Sequence, residues 1–140
     1  MDKFKEIRPI VLGIAKNNNR LLVSKGYDSV KDNTFYRCLG GGIEFFETSQ
    51  EALIREFKEE LDIEIEVGKF HGISESLFSF EGKRGHEIVF FYDIKIKDTD
   101  YKEIYPMVDD HGEDTAVWVD IDDFKNKKKI LYPEEILKYL

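Results

Sequence analysis

Cysteine is nearly absent from this chain. Cys38 is the one cysteine among 140 residues, so no disulfide can form within the molecule. Small proteins of oxidising compartments offset a thin core with disulfides; here the core must hold by itself, and a reducing, cytoplasmic setting is the expectation. Proline is also scarce, at three residues, which leaves long stretches open to helix or strand. A continuous apolar run long enough for a transmembrane helix is missing, and no membrane partner is expected. The N-terminal stretch MDKFKEIRPIVLGIAKNNN lacks an apolar segment followed by a small-residue cleavage site, so a secretory leader is not expected. Nor is there an excess of positive charge. Lys and Arg number 21 against 29 Asp and Glu, a net charge of −8, which repels a nucleic-acid backbone and makes long DNA or RNA a poor partner. A small anionic ligand remains compatible, provided cations or a local basic patch offset the field.

What is present points to a packed fold. Hydrophobic residues make up 41% and aromatics 14% of the chain, a composition of globular proteins rather than disordered ones. Its length suits a single domain over residues 1–140 with one core, as a monomer or a homodimer. In PIVLGIAKNNNRLLVSKG, the apolar runs Ile10 to Ile14 and Leu21 to Val23 flank Asn17, Asn18 and Asn19, and a β-hairpin is expected. TFYRCLGGG reads as a strand entering a glycine turn. IEIEVGKFHGISE, EIVFFYDIKI and TAVWVDID read as further strands, the second apolar enough for burial on both faces. KNKKK at 125–129 reads as a solvated loop, and YPEEILKYL as a short helix with Pro133 near its start. This order predicts an α/β or α+β fold around a mixed sheet.

Residues 49 to 61 carry the clearest helix. Thr48 can cap it, and Glu51 three positions on completes a capping box. At about 100° per residue, Leu53, Phe57, Leu61 and Ile54 form a core-facing stripe. Glu56, Glu59 and Glu60 form a second sector beside it. Like charges at these spacings repel by about 0.2–0.5 kcal/mol per pair. Lys58 points away from them, and Arg55 is expected only to flank Glu59. Hard divalent cations such as Mg²⁺ or Mn²⁺ would relieve the repulsion through oxygen ligands. Just upstream, Gly40, Gly41 and Gly42 let backbone approach a ligand closely. A solvated acidic surface is the usual fate of a lone EFKEE segment, but glycines and acids at this spacing form a larger pattern.

From Gly41 the chain runs five residues to Glu47, seven more to Arg55-Glu56-Phe57, then one residue to Glu59-Glu60 and on to Ile63. This resembles the Nudix box of the MutT/Nudix hydrolases, G-x5-E-x7-R-E-U-x-E-E-x-G-U, over residues 41–63. Asp62 stands where the pattern has its last glycine, and Phe46 where glycine usually precedes the first glutamate. Weaker likeness extends over most of the chain. The resemblance implies an α/β/α sandwich with a mixed sheet. It also implies a pyrophosphohydrolase that cleaves nucleoside diphosphates linked to another moiety, using Mg²⁺ or Mn²⁺. Carried over by position, Glu56, Glu59 and Glu60 become metal ligands and catalytic acids, with the Gly41 carbonyl contributing and Glu56 as first choice of base. Glu47 and Arg55 become a supporting ion pair. Glu113, on a loop beside Asp109, Asp110 and Asp114, is a candidate further ligand or base, and Glu75 and Glu87 are weaker ones.

Arg37 is the expected phosphate contact, with Arg8, Arg20, Lys83 and Arg84 behind it. Tyr36, Phe46 and Phe78 are candidates to stack on a base. His71, His86 and Cys38 are expected to be structural. Two other readings stand beside the hydrolase: a Nudix-fold module that binds a nucleotide without turnover, and a non-hydrolytic isomerase of that fold, which needs a proton-donating site that Cys38 supports only weakly.

Overall fold

The structure, a computed structural model, describes residues 5–109 and 112–140; of Val108, Asp109, Gly112 and Glu113 it describes the backbone alone. Among the described residues the strands are β1 (Ile7–Ile14), β2 (Lys16–Asn17), β3 (Arg20–Asp28), β4 (Asn33–Gly42), β5 (Ile65–Phe80), β6 (Lys83–Ile96), β7 (Ile104–Asp109), β8 (Gly112–Asp120) and β9 (Leu131–Tyr132). Helix α1 spans Ser49–Leu61 and the short α2 spans Ile121–Lys125. The main path of the mixed sheet is β5-β6-β1-β4-β3-β8-β7, with β1 parallel to β6 and antiparallel to β4.

The expected hairpin forms only at its tip. Asn17 pairs with Arg20, and Asn18 turns the chain at φ 56°. β1 then leaves β3 and inserts between β6 and β4. The reason lies in the two apolar runs, which are hydrophobic without alternation and so need cover on both faces. In β1, Val11 joins one core while Ile10, Leu12 and Ile14 join the other; in β3, Leu22 opposes Leu21 and Val23 in the same way. Helix α1 closes the first core with Leu53, Phe57 and Leu61. Phe124 of α2 and Ile136 close the second. Helices on both faces of the sheet make the α/β/α layering. Phe91, on β6, belongs to the second core and Tyr92 to the first, so this strand is buried on both sides as expected.

Helix α1 starts and stops where the sequence predicts. The Thr48 hydroxyl accepts from the Glu51 amide at 3.1 Å, and the Glu51 carboxylate accepts from the Thr48 amide at 3.0 Å. Asp62 ends it in the left-handed region at φ 55°, and its amide still donates to the Lys58 carbonyl. One position departs from the predicted stripe: Ile54 is 43% exposed, while Ala52 is fully buried. The buried face has turned toward the glutamates, so Glu56 lies within it rather than beside it. Pro133 precedes a 3-10 helix over Glu134–Tyr139, and α2 takes up the first residue of the expected KNKKK loop. No helix among the described residues is long and apolar enough to cross a membrane.

Candidate active site

The three glycines, expected as a turn, are instead the last residues of β4, paired with Leu12, Val11 and Ile10 of β1, and side chains cannot be accommodated at two of them. A Cβ on Gly40 would stand 1.9 Å from the Val11 carbonyl oxygen of the neighbouring strand. On Gly41 it would stand 2.4 Å from Cδ of Glu56. The absent side chain therefore makes the cradle in which the Glu56 carboxylate rests on backbone, and that carboxylate is only 14% exposed. Glu60 lines an adjoining cleft of about 240 Å³, together with Gly40, Gly41 and Gly42. Glu59 stands at the rim, 60% exposed.

Arg55 does far more than flank Glu59. Its Nε donates to Glu47 at 2.7 Å and its Nη2 to the other Glu47 oxygen at 2.9 Å, a two-pronged pair. Nη2 also donates to the Gly42 carbonyl at 3.0 Å, which ties the helix to the end of β4. Nη1 reaches Glu56 at 3.1 Å and Glu59 at 3.3 Å, with Glu44 at 3.8 Å. A helical arginine at this point is long enough to neutralise acids of both helix and loop, which sector angles alone do not reveal. The Arg55 guanidinium and the Glu44 amide hold the Glu47 carboxyl down at about 2. The same contacts, Glu47 foremost, raise the Arg55 pKa further above its ordinary value. Lys58 pairs with Asp62 at 3.0 Å on the solvent side, as expected.

Beyond the glycines lies a larger pocket of about 470 Å³ between the β5–β6 hairpin and β4. Phe35, Phe78, Phe80 and Tyr132 supply aromatic walls, and Arg8, Lys31, Arg37 and Lys83 supply positive charge against Glu6, Asp28 and Glu87. Phe78 lies against Gly85 on the paired strand, where a Cβ would come within 2.3 Å of its ring. Arg8, Arg37 and Glu87 line both cavities and so mark where one opens into the other.

The other candidates separate. Tyr36 packs on Phe124 in the second core, and Phe46 is 97% exposed. Arg20 is held by Glu103 and Tyr101 at 3.1 and 2.7 Å. His86 meets Glu75 at 2.9 Å, and His71 meets Asp93 at 2.7 Å while stacking on Tyr139. Cys38 is 2% exposed, and burial pushes its thiol up to about 12. A proton-transfer role for it, as the isomerase reading would use it, gains nothing from that setting. The backbone of Glu113 lies on β8 opposite Val108 rather than on a loop; its side chain lies outside the described residues, and Asp110 lies outside them altogether. Sequence reasoning missed the meeting of Arg8 with Glu87, for which the chain carries no local signal.

Among the described residues, no three His, Cys, Asp or Glu side chains converge closely enough to hold a metal ion; Arg55 sits among the glutamates instead. The donor set nevertheless fits a hard cation. Carboxylates and a backbone carbonyl are all-oxygen ligands, and the Gly41 cradle brings Glu56 against the backbone from which the carbonyl comes.

The NUDIX domain signature matches residues 6–140. The fold is similar to a MutT NUDIX hydrolase from Burkholderia pseudomallei, with a TM-score of 0.64 and 16% identity over 95% of this chain and 96% of that one. It is also similar to a mutator MutT protein from Bacillus halodurans, with a TM-score of 0.65 and 18% identity over 94% of this chain and 80% of that one. A NUDIX-family hydrolase from Clostridium perfringens gives a TM-score of 0.60 and 21% identity over 96% and 93%. Comparison by sequence with curated proteins finds no match. At these identities the structural likeness speaks for the fold, and the signature, which spans nearly the whole chain, speaks for the family: the chain belongs to the NUDIX family of hydrolases.

Proposed function

We propose that this NUDIX pyrophosphohydrolase splits the pyrophosphate bond of a nucleoside diphosphate linked to another moiety, acting as one domain over residues 1–140 and holding Mg²⁺ or Mn²⁺ through Glu56, Glu59, Glu60 and the Gly41 carbonyl. The observation that carries the proposal is the seat of Glu56 against Gly41, beside a cleft lined by Gly41 and Glu60 that shares Arg8 and Arg37 with a larger aromatic pocket. When bound, a divalent cation neutralises phosphate charge and acidifies the attacking water. Everything else is done by the chain. Glu56 accepts the proton of the water at its carboxylate, and Glu113 is the further acid in reserve. Arg37 binds phosphate with its planar guanidinium. Phe78 offers a face on which a base stacks. Glu47 and Arg55 keep the glycine end of β4 and helix α1 in register, so that Glu56 stays seated against Gly41. The net charge of −8 keeps long nucleic acid away and leaves a small nucleotide as the partner, for a monomer or a homodimer in the cytoplasm.

The test is a screen of dNTPs, oxidised dNTPs, ADP-ribose, dinucleoside polyphosphates and nucleotide sugars with Mg²⁺ and with Mn²⁺, products resolved by chromatography. Turnover that needs the metal and collapses in Glu56→Gln and Glu60→Gln supports the proposal. Binding of a nucleotide without any turnover would replace it with a binding module.

A further inference from the structure

We infer that Glu87 is a positioning residue that docks Arg8 and Arg37 side by side, making of them a clamp for the substrate phosphate next to the nucleoside; the inference rests on the proposed nucleotide substrate. Three strands meet to build it. Arg8 comes from β1, Arg37 from β4 and Glu87 from β6. Glu87 is 6% exposed, one of two buried charged residues in the described chain, the other being Asp28. Arg37 Nη2 donates to Glu87 Oε1 at 2.9 Å, and Arg8 Nη1 lies 3.9 Å from Oε2. Arg8 also extends to the glycines, where a Cβ on Gly42 would lie 3.7 Å from its Nη2.

A buried carboxylate has to be compensated, yet here two cations face one anion. Within this trio the balance is positive, in a chain whose net charge is −8, while Glu6 and Asp28 line the larger cavity and Glu60 the smaller. Each guanidinium has five N–H donors in a fixed fork, so the contacts to Glu87 leave donors over for a ligand. Arg37 is 33% and Arg8 58% exposed at the side chain, and both line the two cavities at their junction. A phosphate at that junction lies between the aromatic pocket and the glycines against which Glu56 rests. That is the place of the phosphate attached to the nucleoside, with the bond to be broken on the side of the acids. Without Glu87, two long side chains would have to be ordered by the ligand itself, at its own entropic cost.

The positioning role and a bare charge effect predict opposite signs. If Glu87 only dilutes positive charge, its removal tightens an anion; if it positions the arginines, its removal loosens one. The experiment is a ³¹P NMR titration of inorganic pyrophosphate in EDTA with the full chain, its Arg8→Gln, Arg37→Gln and Glu87→Ala variants, and the Arg37→Gln/Glu87→Ala double variant. Each arginine variant is expected to weaken binding about tenfold, the loss of a charge-assisted hydrogen bond. Glu87→Ala is expected to weaken it about fivefold, and by less than about twofold when Arg37 is already gone, since it acts through that residue. With the substrate from the screen, KM rises in the same ratio while kcat is held. Equal or tighter pyrophosphate binding by Glu87→Ala would overturn the inference, as would a fall in kcat with a raised metal requirement, which would make Glu87 a ligand. Glu87→Asp, which withdraws the carboxylate by one methylene, gives the same reading if Glu87→Ala does not fold. The pyrophosphate titration judges the clamp even if the screen yields no turnover, and turnover with insensitive pyrophosphate binding would sink the clamp alone.

Discussion

Two arginine–glutamate assemblies flank the glycine end of β4, and their stoichiometries are inverted. On the helix side, one arginine, Arg55, faces Glu44, Glu47, Glu56 and Glu59. On the sheet side, one glutamate, Glu87, faces Arg8 and Arg37. The first assembly is left short of positive charge and can take a cation; the second is left with a surplus and can take an anion. Gly40, Gly41 and Gly42 lie between: Glu56 and Arg55 reach Gly41 and Gly42 from one side, and Arg8, Arg37 and Glu87 share a cleft with the glycines on the other. A phosphoanhydride needs both kinds of neighbour within a few ångströms, and a strand end without side chains lets them face it together.

The largest expected effect removes the defining acid of the helix side. Glu56→Gln should lower kcat by about 10²–10⁴, the usual worth of a general base, with little loss of nucleotide affinity, as read by steady-state kinetics and titration. Next comes the support. Arg55→Gln or Glu47→Gln should cost about 10–100-fold in metal affinity, as loss of a partner that orients ligands does; metal titration of turnover measures it. Gly41→Ala belongs with these, because its methyl group would drive into the Glu56 carboxylate, and its metal requirement should rise likewise.

Acid probes the helix-side assembly. The Glu47 carboxyl sits at about 2 in the folded chain against an ordinary 4.5. A depressed native value means that protonating the folded state is harder than protonating the unfolded one. The pair therefore stabilises the fold fully above pH 4.5 and loses that contribution as pH falls from there through about 2. Thermal unfolding across that window should show the native chain losing its advantage over Glu47→Gln. An advantage unchanged from pH 5 down to about 2 would contradict the pairing.

The smallest effect concerns the loop that joins the assemblies. Phe46 holds φ 66° while 97% exposed, a strained setting for a bulky residue whose ring meets only that of Phe45, itself exposed, at 6.3 Å among the described contacts. Phe46→Gly should raise stability by about 1 kcal/mol, the lower end of such strain, or about 2–4 °C in Tm. A lower Tm would mean that the Phe46 ring makes a stabilising contact.

The two assemblies also differ in how far they could be read beforehand. Glu56, Glu59 and Glu60 recur at helical spacing behind a capping box and three glycines, so local chemistry carried the element, its ends and its acids together. Even there, Arg55 was underrated, because its reach depends on how the loop 43–48 folds back onto the helix. Arg8, Arg37 and Glu87 stand 29 and 50 positions apart and meet only through strand order. β1 was read as half of a hairpin with β3. Without its parallel pairing to β6, which sets Arg8 opposite Glu87, nothing in the sequence joins these residues. Strands alternating in local pattern were legible; the partner of a doubly buried strand was not, since any apolar neighbour satisfies it.

The most direct test sets the two assemblies against each other on one substrate. Steady-state kinetics of Glu56→Gln and Arg37→Gln should divide cleanly. The first should lose kcat by at least about 10² with KM nearly held, and the second should raise KM about tenfold with kcat nearly held. If both variants change the same parameter, the division of labour across the glycine end of β4 is wrong.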